Sequence, residues 1–257
     1  MGVTPEQIEE FIAEGFVRVD EAFPVRVADE ALKILWRDTG LERGRPESWT
    51  QPVVWLGEYD DVPFRAAATA PRLTAAFDAL VGEGRWISRS SLGAFPVRFP
   101  SESSSGDDGW HVDASFPGQD PTSYFDWRIN YLSRGRALLM LFLFSDVGPD
   151  DAPTRLRSGS HLDVARLLHG YGEDGLSFNQ LAAELQALPE RPETMAVGGR
   201  GTVYLCHPFL VHAAQRHRGR NPRFMAQPAL LAKGSFELGG PSPVERAIAR
   251  GIGAGAG

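Results

Sequence analysis

One cysteine, Cys206, is the whole thiol content of this 257-residue chain. An internal disulfide is therefore excluded, which suits a reducing cytoplasm, and Cys206 reads as a small buried strand residue. Long apolar runs are missing too. The longest, Ala137 to Phe144, falls far short of the roughly 20 residues that a membrane-spanning helix needs. Positive charge is in deficit, with 26 basic against 33 acidic residues and a net charge of −7. A long phosphate-binding surface for nucleic acid is therefore not expected, and a small molecule is the better partner. The opening Met1-Gly2-Val3-Thr4-Pro5-Glu6 lacks a basic segment followed by an apolar one, and Glu6 breaks the myristoylation pattern. No targeting or lipid signal is expected there, so the chain reads as a cytoplasmic protein with no membrane and no nucleic acid among its partners. Its composition says nothing of oligomeric state.

What is present is enough apolar material, 42% of the residues, to bury a sizeable core, expected here as a single domain over 1–257. The first ninety residues read as mostly helical. Thr4-Pro5-Glu6-Gln7 has the form of a capping box, with Ile8, Phe11 and Ile12 as the buried stripe behind it. Leu32, Leu35 and Trp36 share a second helical face, and Leu73, Phe77, Leu80 and Val81 a third. From Trp86 onward short apolar runs alternate with Gly, Pro and Ser, the texture of a sandwich or barrel. Strands are expected at Ser91–Phe99, around Trp110–Asp113, at Trp127–Tyr131, Ala137–Ser145, Val203–Cys206, Phe209–Ala214 and Phe224–Ala232. The run Ala137–Ser145 is apolar without a break, as a strand covered on both faces should be. The core thus spans 91–235, with a helical insertion at about 161–190 that Ser160 would cap. That insertion suits a lid or a dimer surface as well as plain packing. The glycine-rich end, 250–257, is expected to be a flexible tail.

The chemistry centres on Trp110-His111-Val112-Asp113. In extended chain, residues two apart point the same way, so His111 and Asp113 share a face while Val112 turns from it. An imidazole and a carboxylate from one segment, joined by a second imidazole from a distant one, make a facial triad that leaves metal positions open. His212 is the expected third ligand. His207 precedes Pro208 at a turn, and His217 lies among Arg216, Arg218 and Arg220, where an added cation would be repelled. Just before the pair, residues 101–109 form a polar run that reads either as a surface connector or as a flap ordered by substrate.

His111-x-Asp113, then Arg157-Ser158-Gly159-Ser160-His161, then His212 with Arg223 eleven residues on, resemble the phytanoyl-CoA dioxygenase family of Fe(II)/2-oxoglutarate-dependent oxygenases. The resemblance runs from about Arg98 to Leu231. It implies a mainly β double-stranded β-helix, a cupin-like jelly roll, with flanking helices, and Fe(II) held by His111, Asp113 and His212 as the catalytic centre. It also implies 2-oxoglutarate and O2 as cosubstrates, with Arg223 on the distal carboxylate and Trp127 and Asn130 beside the cosubstrate. The Gly-Ser-His turn is then a fold marker. An arginine suits its place, because a planar guanidinium pairs a carboxylate through two hydrogen bonds. The implied reaction is hydroxylation of an unactivated C–H bond of a small molecule, with release of succinate and CO2. Ala214 departs from relatives that carry a hydroxyl there. Asp113 is present, where halogenating relatives have a small residue. Desaturation, ring formation or epimerisation stay open beside hydroxylation. So do a non-catalytic jelly-roll metal-binding or regulatory protein and a Zn(II)-dependent hydrolase. Arg128, Arg134, Arg136, Arg155 and Arg157 are further expected to form a local basic patch.

Overall fold

The strand Arg136–Leu143 organises the rest. All of Ala137 to Leu143 is buried, and its side chains divide between two cores by simple alternation. Leu139, Leu141 and Leu143 join Leu156, Ala196 and Tyr204, whereas Leu138, Met140 and Phe142 join Phe11, Phe23, Leu35 and Phe64 from the N-terminal helices. This double burial explains the unbroken apolar run. The computed structural model describes residues 2–253. Arg136–Leu143 lies at the middle of a six-stranded antiparallel sheet ordered Phe16–Val19, Val203–Cys206, Arg136–Leu143, Ala229–Ala232 and Trp86–Ile87, with Met225–Ala226 also paired to the central strand. Opposite it is a three-stranded sheet of His212–Ala213, Arg155–Arg157 and Glu193–Met195. The fold is mainly β with flanking helices, a jelly roll.

Several strands are shorter than expected, for identifiable reasons. Phe224–Ala232 is split at Gln227-Pro228, where proline has no N–H to donate to the ladder. Ser91–Phe99 narrows to Phe95–Arg98 and pairs with Val53–Leu56 outside the large sheet. Trp127–Tyr131 shrinks to Arg128–Ile129, paired with Leu176–Ser177 of the insertion. Ser160 is not the cap of its helix. Gly159 holds that place at φ +79, and the Ser160 hydroxyl instead accepts the Val211 N–H at 3.0 Å. Of the tail expected at 250–257, residues 250–252 belong to the helix Pro243–Ile252, in which Gly251 is buried. Residues 254–257 lie outside the described residues. No described helix is long and apolar enough to cross a membrane.

That last helix is tied down through Glu245, whose side chain is wholly buried. Its carboxylate accepts Arg85 at 2.7 and 2.8 Å, the Ser242 hydroxyl at 2.7 Å and the Glu237 N–H at 2.9 Å. Burial alone would raise its pKa, but Arg85 and these donors hold it at about 2, against an ordinary 4.5. A depressed carboxyl stabilises the fold above its unfolded pKa, and the contribution is lost as pH falls towards the folded value. Urea titrations should therefore show Glu245→Gln destabilised by about 2 kcal/mol at neutral pH. The gap between variant and parent should close as pH drops from 4.5 towards 2.

Candidate metal centre and its cavity

His111 and His212, a hundred residues apart in sequence, face each other across one antiparallel bridge. Each donates its backbone N–H to the other's carbonyl at 3.0 Å. The ring centroids lie 4.3 Å apart. Trp110–Asp113 is not a full strand, since only His111 takes part in this bridge, yet the alternation holds: Val112 is 2% exposed and joins the main core. His111, Asp113 and His212 form a cluster whose ligand atoms all lie within 4.8 Å of one another.

Hydrogen bonds fix which ring nitrogen is free. Nδ1 of His111 lies 2.9 Å from the Gly109 carbonyl, and Nδ1 of His212 lies 3.0 Å from that of Leu210. A carbonyl only accepts, so both Nδ1 atoms donate, and Nε2 is the nitrogen each ring can offer to a metal. These Nε2 atoms are 3.9 and 4.0 Å from the same oxygen, Oδ1 of Asp113. Burial, with His111 close by, lowers the His212 pKa to about 4, so the ring is neutral and available as a ligand.

Asp113 is held by residues that sequence reasoning did not assign to it. Arg136 donates to Oδ2 at 3.0 Å, and the Tyr124 hydroxyl donates to Oδ1 at 3.3 Å. Burial alone would raise the carboxyl, but the Arg136 guanidinium beside it holds it below the ordinary carboxylate range. Partners that orient a metal ligand typically govern metal affinity by 10–100-fold. Arg136→Leu should accordingly weaken Fe(II) binding by about 10–100-fold, read by anaerobic metal titration.

The competing histidines are already spent. His207 Nε2 faces the Val244 carbonyl at 3.3 Å while its Nδ1 accepts the Phe209 N–H at 3.1 Å. His217 Nε2 faces the Asn221 carbonyl at 2.8 Å while its Nδ1 accepts from Gly219 at 3.2 Å. His161 of the Gly-Ser-His turn is buried against the first helix, with Nε2 3.1 Å from the Ile12 carbonyl.

A cavity of about 420 Å³ opens over the two histidines, bordered by His111 and His212 together with Trp55, Trp110, Phe125, Phe178, Arg98, Asp107 and Gln227. Phe178, from the helical insertion, has its ring 5.7 Å from that of His111. The insertion therefore walls the site. Trp110 carries the guanidinium groups of Arg155 and Arg157 at 4.5 and 4.1 Å from its ring, a cation–π arrangement. The expected basic patch is thus divided, because Arg136 serves Asp113 and Arg128 bonds the carbonyls of Asp174 and Gly175.

The other expected cofactor residues fall unequally. Arg223 is fully buried, bonded to the carbonyls of Ala152 and Pro96, and its Nε has no partner. It does not border the cavity; its neighbour Arg98 does. Asn130 is buried and bonded to the backbone. Its amide nitrogen donates to the Glu173 carbonyl at 2.9 Å and its oxygen accepts the Arg134 N–H at 3.1 Å, so both ends are occupied by backbone. Trp127 likewise does not border the cavity, and its indole N–H goes to the Pro121 carbonyl at 3.0 Å.

Comparison with solved structures returns the same architecture. SnoK, a non-heme alpha ketoglutarate dependent carbocyclase from nogalamycin biosynthesis, superposes with a TM-score of 0.64 at 16% identity, over 91% of this chain and 85% of its own. The chain has the fold of such oxygenases. HygX from Streptomyces hygroscopicus, solved with nickel and 2-oxoglutarate bound, superposes at TM-score 0.58 and 17% identity, over 90% of this chain and 87% of HygX. EctD from S. alaskensis, solved with 2-oxoglutarate and 5-hydroxyectoine, gives 0.55 and 18%, over 93% of this chain and 77% of EctD. No protein-family model matches the chain, and no curated protein does.

Proposed function

We propose that this protein is an Fe(II)- and 2-oxoglutarate-dependent dioxygenase of the phytanoyl-CoA dioxygenase type, hydroxylating an unactivated C–H bond of a small molecule. One observation carries the reading: two imidazoles, each bonded through Nδ1 to a backbone carbonyl, turn their Nε2 atoms towards a single carboxylate oxygen. Two nitrogens and one carboxylate on one side of an ion fit iron and leave positions for cosubstrate and O2. A structural zinc site would instead close all four positions with protein ligands.

In this reading His111, Asp113 and His212 hold the iron, and Arg223 pairs with the distal carboxylate of 2-oxoglutarate. When bound, the iron supplies oxidative decarboxylation of 2-oxoglutarate to succinate and CO2, coupled through O2 to oxidation of a substrate C–H bond. The chain's own residues position and shield. Arg136 keeps Asp113 anionic and fixed in rotation through its second oxygen. Trp110, Phe125 and Phe178 give the cavity apolar walls that limit water around the reacting groups. With Fe(II), 2-oxoglutarate and O2 the protein should form succinate, and more of it in the presence of its substrate. Turnover with Zn(II) and no requirement for 2-oxoglutarate would replace this reading with that of a hydrolase.

A further inference from the structure

We propose that Arg98 is a second carboxylate-binding cation of the cosubstrate site, and that Asp107 is an internal carboxylate which an incoming dicarboxylate displaces from it. The inference rests on the reading of the cavity as a 2-oxoglutarate site. Arg98 ends the strand Phe95–Arg98 and is only 3% exposed, yet it borders the cavity beside His111 and His212. Across an antiparallel bridge it meets Arg223, with reciprocal backbone hydrogen bonds of 3.0 and 2.8 Å. Directly opposed residues in such a pair turn their side chains to the same face. Two guanidinium groups are thereby brought together in the interior.

A single carboxylate answers them. Asp107 forms an ion pair with Nη2 of Arg98 and accepts from the Ser105 hydroxyl, which in turn accepts Nη1 of Arg98 at 2.7 Å. Arg223 has carbonyl partners in place of an acid. The cluster thus holds two positive charges against one negative, and a buried charge without a counter-ion is costly. The Nε atoms of Arg98 and Arg223 are both buried without a hydrogen-bond partner, so each has a donor to spare. An additional carboxylate would satisfy both the charge and the donors.

The segment that carries Asp107 is built to give way. Residues 101–109 consist only of Ser, Glu, Asp and Gly, so no apolar side chain anchors them in the core. The segment's ends are tied by backbone, through the Ser101 N–H to the His217 carbonyl at 3.3 Å and the Gly109 carbonyl at 2.9 Å from His111 Nδ1; between them, Arg216 meets the exposed Glu102 and Arg155 donates to the Asp108 carbonyl at 3.1 Å. A carboxylate arriving in the cavity offers Arg98 the same hydrogen-bonding geometry as Asp107. Affinity for the cosubstrate is then reduced by the fraction of molecules in which Asp107 holds the guanidinium. Cosubstrate binding is also coupled to release of the loop.

The test uses full-length protein loaded with Fe(II) under anaerobic conditions, titrated with 2-oxoglutarate or with pyruvate, a 2-oxo acid lacking the second carboxylate. Asp107→Asn should bind 2-oxoglutarate about tenfold more tightly, the scale of one charged hydrogen bond removed from the competition. Its pyruvate affinity should be unchanged. Arg98→Met should bind 2-oxoglutarate more weakly and pyruvate as before. Amide hydrogen exchange across residues 103–109 of the unmodified protein should quicken when 2-oxoglutarate is added. Equal or weaker 2-oxoglutarate binding by Asp107→Asn, an equal gain for pyruvate, or slower loop exchange on binding would overturn the proposal while leaving the oxygenase reading in place. Failure of the metal-loaded parent protein to bind 2-oxoglutarate at all would overturn both.

Discussion

Asp113→Ala should lose Fe(II) and, with it, 2-oxoglutarate-dependent succinate formation. The carboxylate is the only anionic ligand in the cluster with His111 and His212, so its removal takes away both a bond to the cation and the charge that offsets it. Loss of a partner that merely supports a ligand costs about 10–100-fold in metal affinity, and loss of the ligand itself should exceed the upper end of that range. Asp113→Asn separates charge from packing. It keeps the size of the side chain and one acceptor oxygen, enough for Arg136, yet should bind iron far more weakly than the parent. If either variant retains full succinate formation with the parent's metal content, the ligand assignment is wrong.

The second large effect concerns Arg223, where affinity and stability should part company. Its guanidinium is entirely buried, and burial together with nearby Arg98 pushes its pKa below the ordinary arginine range. An interior charge bonded only to carbonyls is a burden on the fold that a carboxylate ligand would relieve. Arg223→Met should therefore weaken 2-oxoglutarate binding by about 100-fold, the usual scale when one partner of a buried charged pair is truncated. In the absence of cosubstrate its unfolding free energy should differ from the parent's by less than about 1 kcal/mol, because the lost hydrogen bonds and the relieved charge oppose each other. Paired calorimetric titration and urea unfolding would measure the two quantities. A variant that unfolds several kcal/mol more easily while binding 2-oxoglutarate normally would make Arg223 a structural residue.

How much of this was legible in the sequence depends on where each signal resides. His111 and Asp113 could be paired because alternation along extended chain is local, and it survives even though the segment forms only one bridge. The central strand was legible because burial on both faces leaves an unbroken apolar run. Arg136, Tyr124 and Phe178 were not, because each reaches the site only through tertiary contact. Arg98 left a faint trace as a lone charge ending an apolar strand. Its significance needs Arg223 opposite and Asp107 in front. Asn130 shows the converse: an amide on the strand after the metal pair attracts a functional role, and only the structure shows the backbone at Glu173 and Arg134 bonded to its two ends. The polar run 101–109 could be seen as a loop, though not as one that delivers a carboxylate to a buried guanidinium.

The central claim is that one cluster holds iron and 2-oxoglutarate together, and the most direct measurement is the visible absorption of the chain under anaerobic conditions with Fe(II) and then 2-oxoglutarate added. Chelation of the metal by the 2-oxo acid should produce a charge-transfer band that saturates with cosubstrate, is absent in Asp113→Ala and needs far more 2-oxoglutarate in Arg223→Met. Iron demonstrably bound, with no band at any concentration of 2-oxoglutarate, would contradict the account.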